Sequence, residues 1–130
     1  LVNEEVISDD SGLCIDCLNG FPGVMTHRFL GEDAIDLERN EYLINEVNKY
    51  NDRSAQVVCN LVYYDGSNVI VGEGILNGFI ANECRGENGF GFDEIFELSN
   101  GRTLAELSLE EKNEISARSL AIKDLKKKLK

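Results

Sequence analysis

Two β-rich runs around a four-residue turn limit the fold of this chain more than any other feature. Ala55 to Tyr64, AQVVCNLVYY, and Val69 to Ala81 flank Asp65-Gly66-Ser67-Asn68. Branched and aromatic residues bounded by turn formers predict a long antiparallel hairpin. Glycines at 72, 74 and 78 predict bulges or close backbone approach in its second strand.

Helical spacing appears on either side. From Asp33 to about Tyr50, Leu37, Ile44 and Val47 share one stripe while Glu38, Arg39, Glu41 and Glu46 are left to water. An amphipathic helix packed on a sheet follows, its charges a solvated face. Ser108-Leu109-Glu110-Glu111 is a capping box with Ser108 at N-cap and Glu111 at N3. The helix it starts is predicted to run towards Lys130, with Ile115, Ile122, Leu125 and Leu129 on its apolar stripe. Lys126, Lys127, Lys128 and Lys130 complement the negative end of its dipole.

At 130 residues the chain suits one domain, residues 1–130. Its 24 acids against 13 bases give a net charge of -11, which repels a phosphate backbone, so no nucleic acid polymer is expected as partner. A small polyphosphate would instead need local neutralisation by a divalent metal or by placed Lys and Arg side chains. No apolar run approaches the ~20 residues of a membrane-spanning helix, so no membrane partner is expected. Cys14, Cys17, Cys59 and Cys84 lie in apolar or mixed strand-like segments and read as reduced, cytoplasmic thiols. Cys14 and Cys17 form a C-x2-C, but no second pair stands at zinc spacing.

The stretch from Val6 to Leu18, VISDDSGLCIDCL, carries the candidate chemistry. Val6-Ile7-Ser8 reads as a strand and Leu13 to Leu18 as a second apolar stretch, with Ser11-Gly12 the turn between them. Asp9 and Asp10 then sit at a strand end. Adjacent carboxylates repel and gain nothing from packing, so a bound hard cation accounts for them, and a solvated Asx turn is the alternative. Asn19-Gly20-Phe21-Pro22-Gly23 follows as a rigid loop, and His27 and Arg28 beyond it could face a polyphosphate or serve structural roles.

A second candidate segment is Glu83 to Asp93, ECRGENGFGFD. Glycine lets a backbone approach a ligand, Phe90 and Phe92 offer faces for a base, and Asp93 could accept a hydrogen bond from a base edge. Alternatively both rings are core and Asp93 caps a turn. Lys112 and Arg118, near the start of the last helix, could point towards this loop.

Taken together these segments resemble the inosine triphosphate pyrophosphatase family, which cuts non-standard purine nucleoside triphosphates. The likeness rests on Asp9-Asp10-Ser11-Gly12-Leu13, Leu18-Asn19-Gly20-Phe21-Pro22-Gly23-Val24, Gly89-Phe90-Gly91-Phe92-Asp93 with Ile95-Phe96, and the run from Ala105 through Lys112 to Arg118. It implies an α/β fold with a mixed, twisted sheet, the long antiparallel hairpin and flanking helices. It also implies Asp10 as general base and metal-associated acid beside Asp9, and Ser11, Phe90, Gly91, Phe92, Asp93, Lys112 and Arg118 as substrate-binding residues. The cofactor implied is Mg2+, the substrate a purine nucleoside triphosphate cut to monophosphate and pyrophosphate, and the assembly a homodimer.

Two positions depart from the family: Ser116-Ala117-Arg118 stands for its Ser-His-Arg, and Glu94 for a proline. The family's opening phosphate-gripping segment has no counterpart here, so the chain is expected to match the C-terminal two-thirds of such a fold. A catalytically impaired nucleotide-binding or dimerisation module of the same fold is the alternative.

Overall fold

A computed structural model describes residues 6–23, 25–26, 28–31, 33–64, 66–89 and 91–128, and the side chains of these from residue 10 onward. Strand β3 (Ser54–Tyr64) and strand β4 (Val69–Ile80) form the expected hairpin, in unbroken antiparallel register from Ser54 opposite Phe79 to Tyr64 opposite Val69. Strand β1 (Val6–Ile15) pairs along the other side of β3, and the short β2 (Pro22–Gly23) and β5 (Phe96–Glu97) close the order β2-β1-β3-β4-β5. Among the described residues every pairing is antiparallel, where a mixed sheet was expected.

Strand alternation divides the sheet into two faces. Ala55, Val57, Cys59 and Leu61 are buried with Leu13 and Ile15, while Val71, Glu73, Ile75, Asn77 and Phe79 are exposed on the other face. No bulge interrupts the β3–β4 register, so the β4 glycines answer to the second expectation, close approach. A Cβ on Gly72 would lie 2.5 Å from the Ala121 carbonyl oxygen, and one on Gly74 would strike the Ala117 carbonyl. Helix α3 (Ala117–Lys128) thus rests its backbone on the strand.

That closeness decides which helix residues face inward. The buried face is Ala117, Ala121 and Leu125, spaced by four, with small alanines where the helix backbone meets Gly74 and Gly72. Of the expected stripe, Ile122 is exposed, Ile115 half-buried, and Leu129 lies outside the described residues. The expected single C-terminal helix is two. Helix α2 (Leu109–Ile115) begins at Ser108, whose hydroxyl accepts from the Glu111 N–H while Glu111 accepts from the Ser108 N–H at 3.0 Å. It ends at Ser116, which takes extended angles (φ −60°, ψ 155°) and whose Oγ accepts from the Ser119 N–H at 3.2 Å. Ser116 therefore caps a new helix instead of continuing the old one.

Helix α1 (Asp36–Val47) contributes to the same core and is shorter than expected at both ends. Leu43, Ile44 and Val47 are buried, whereas Leu37 is exposed. Arg39 was expected in water but is buried, its guanidinium donating to the Phe29 and Gly31 carbonyls at 3.0 and 2.9 Å. A charged group can sit there because its donors are matched by backbone acceptors.

The turn expected at Ser11-Gly12 does not form. β1 runs straight through it, with Asp10 opposite Asn60, Ser11 opposite Cys59 and Gly12 opposite Val58. Ten paired residues outweigh the local turn preference of Asp, Ser and Gly. Gly12 is small for a packing reason, since a Cβ there would lie 2.6 Å from the Gly23 carbonyl oxygen. Next to it, the Leu13 N–H donates to the Thr26 hydroxyl at 2.9 Å. The acids are accordingly mid-strand.

Candidate active site

A cleft of about 370 Å³ opens on the helix-covered face of the sheet. Its floor is Val57, Cys59 and Leu76. Gly91, Phe92 and Asp93 form one wall, Lys112, Ser116 and Arg118 the other, and Ser11 lies at its β1 edge. Ser116 breaks the helix between the two cations, so Lys112 comes from α2 and Arg118 from α3.

Asp93 is 8% exposed, and Lys112 Nζ donates to its Oδ2 at 2.6 Å. The Asp93 carbonyl accepts from the Ala105 N–H at 3.0 Å, which pins the loop from behind. Gly89 lies against the same carboxylate, where a Cβ would come within 2.5 Å of Oδ2. The sequence alternatives for this loop are thus both partly realised. Phe92 packs edge-on to Phe96 with centroids 6.5 Å apart, yet lines the cleft. Asp93 is buried in an ion pair, yet faces the cleft. Phe90, like His27, lies outside the described residues.

Gly91 takes a positive φ of 61°, a conformation that favours glycine. Its N–H donates to Asp36 Oδ2 at 2.8 Å and its carbonyl accepts from Asn40 Nδ2 at 3.0 Å. Sequence reasoning missed both partners, as it did Cys59, Leu109 and Asn113 in the cleft lining. Acids and amides on an amphipathic helix look alike whether they meet water or a distant loop, so no local signal marks Asp36 or Asn40.

Alternation along β1 separates the acid from its neighbour. Ser11 lines the cleft, while exposed Asp10 lines an adjoining depression of about 170 Å³ with Gly12, Cys14, Val58 and Asn60. The two hollows share Ser11. Asp10 is close enough to Cys59 that its charge, after burial itself, pushes that thiol's pKa up. Asp9 stands opposite Leu61, and its side chain lies outside the described residues.

Among the described residues no three His, Cys, Asp or Glu side chains gather as a protein-made metal cage. None of the four cysteines is in a disulfide. An exposed carboxylate beside a cleft instead suits a hard cation that retains waters and takes its other ligands from a substrate phosphate.

Fold and site together define an α/β protein with a small-molecule cleft on one face of an antiparallel sheet. The Ham1 family model matches residues 1–128, and the chain belongs to that family. It is 46% identical over 130 residues to a dITP/XTP pyrophosphatase of Streptococcus thermophilus, covering 96% of this chain and 40% of that protein. A dITP/XTP pyrophosphatase of Caldanaerobacter subterraneus is 45% identical over 124 residues, covering 93% and 62%. Among solved structures, the Staphylococcus aureus Ham1 protein superposes with a TM-score of 0.92 at 41% identity, covering 98% of this chain and 68% of that one. A HAM1 protein from Coxiella burnetii gives 0.90 at 39%, covering 96% and 66%. The chain thus spans 40% and 62% of the lengths of these two curated relatives.

Proposed function

We propose that this chain forms the catalytic face of a hydrolase that cuts non-standard purine nucleoside triphosphates, of the dITP and XTP type, to monophosphate and pyrophosphate. The observation that carries the reading is the convergence of Gly91, Phe92, Asp93, Lys112 and Arg118 on one cleft whose edge residue, Ser11, adjoins Asp10. The names of the relatives support the substrate class.

In this reading the purine lies against Phe92, with the Asp93–Lys112 pair offering polar groups to its edge. Arg118 adds positive charge at the cleft wall, where an anionic substrate needs it in a chain of net charge -11. The phosphates extend past Ser11 towards Asp10. The Asp10 carboxylate orients a water and takes its proton as the oxygen bonds to the α-phosphorus. The α-phosphorus to bridging-oxygen bond breaks, and pyrophosphate leaves. Asp10 would hold Mg2+, which when bound would spread the phosphate charge, while the side chain of Asp9, expected as a second ligand, lies outside the described residues. Homodimerisation and a reducing, cytoplasmic setting belong to the same proposal, the latter in keeping with four cysteines outside any disulfide.

One observation favours a second reading, a nucleotide-binding module without turnover: Asp10 faces the depression beside the cleft and not the cleft itself. Incubation with dITP or XTP and Mg2+, followed by pyrophosphate detection, separates the two. Pyrophosphate release that falls by a factor of about 10² or more in Asp10→Asn, with binding retained, is expected for the enzyme. Tight binding with no pyrophosphate from the parent chain selects the module, and full activity in Asp10→Asn overturns the assigned role.

A further inference from the structure

We infer that Asp36 and Asn40 of helix α1 are positioning residues that set the shape of the purine side of the cleft, an inference that rests on the reading above. They stand one turn apart on one helix face and take both polar groups of a single peptide residue. Asp36 accepts the Gly91 N–H at 2.8 Å, and Asn40 donates to the Gly91 carbonyl at 3.0 Å. Asn40 is 1% exposed, an amide withdrawn from water with the Gly91 carbonyl as its partner. Asn40 lies between Leu43 and Phe29 with Thr26 and Arg39 nearby, and a polar side chain so withdrawn from water is tolerated only because its hydrogen bond to the Gly91 carbonyl is made.

What that bond controls follows from chain direction. Gly91 holds a positive φ, and the next two residues are Phe92 and Asp93, which line the cleft. Rotation of the Gly91 peptide would swing both side chains. The loop is anchored behind Asp93 by the Ala105 N–H and in front by this pair from α1, so the two anchors together define the wall. Neither α1 residue lines the cleft, so each acts through the loop.

The test uses Asp36, because it sits on the exposed first turn and α1 keeps an independent cap, the Ile35 N–H donating to Glu38 Oε1 at 2.9 Å. Affinities for inosine triphosphate and for inorganic tripolyphosphate, both with Mg2+ and in an Asp10→Asn background that suppresses turnover, are measured by calorimetry alongside hydrogen exchange at the Gly91 amide. Asp36→Ala is expected to speed that exchange and weaken inosine triphosphate by about tenfold, the scale of one lost hydrogen bond to a charged acceptor. Tripolyphosphate affinity stays the same, and Asp36→Asn, which keeps an acceptor oxygen, restores both readouts. The inference is overturned if Asp36→Ala holds inosine triphosphate undiminished, if both probes weaken in proportion, or if Asp36→Asn fails to rescue. A parent chain that binds neither probe removes the nucleotide-site reading and this inference with it, whereas the first three outcomes remove this inference alone.

Discussion

Replacing Lys112 by methionine isolates the most charged contact in the cleft. The side chain keeps its length and most of its packing, but the Asp93 carboxylate loses the ammonium 2.6 Å away. The two side chains are 16% and 11% exposed, so little water can take the ammonium's place. Removing one partner of a buried pair costs about 3 to 5 kcal/mol. The residual exposure and the backbone anchoring of residue 93 put this case at the lower end, about 3 kcal/mol. For a chain of this size that is a fall in Tm of roughly 10 °C. Urea titration gives the free energy, and the double variant Lys112→Met with Asp93→Asn tests the cause. Neutralising the Asp93 carboxylate should recover about 1 to 2 kcal/mol, so the single penalties fail to add. A loss under about 0.5 kcal/mol in Lys112→Met, or additive penalties in the double variant, would refute the argument that this pair is desolvated and mutually dependent.

Further outcomes follow from the packing and the caps. Gly74→Ala places a methyl group against the Ala117 carbonyl, backbone that cannot swing aside, and should destabilise by about 1 to 3 kcal/mol in thermal melts. A neutral result would mean that α3 does not lie on β4 as described. The Glu111 carboxyl is held at about 2, first by the Arg102 guanidinium and then by the Ser108 N–H, against an ordinary value of 4.5. A folded-state value below the unfolded one gives stability that is complete above about 4.5 and lost as pH falls towards about 2. Glu111→Gln should flatten the melting temperature's pH dependence across that window, and an unchanged profile would discount the cap. In the native protein Cys59, buried and with its pKa raised, should react with iodoacetamide more slowly than after unfolding, as peptide mass mapping would show.

The sequence by itself determined the elements whose signals are local. Alternation in AQVVCNLVYY placed the hairpin, and the Ser108–Glu111 box placed the start of α2. Resemblance singled out Ser11, Gly91, Phe92, Asp93, Lys112 and Arg118, and the structure brings these six to one cleft. Tertiary structure alone decided the rest, because the deciding groups are distant in sequence. Pairing with β3 straightened the acid segment that local propensity reads as a turn, and so set Asp10 and Ser11 on opposite faces. The α3 backbone gave Gly72 and Gly74 their meaning, and with it the alanines at positions 117 and 121 of the buried face. Asp36 and Asn40 carry the same side chains whether they meet water or Gly91, 55 and 51 residues away, and only the folded chain distinguishes the two.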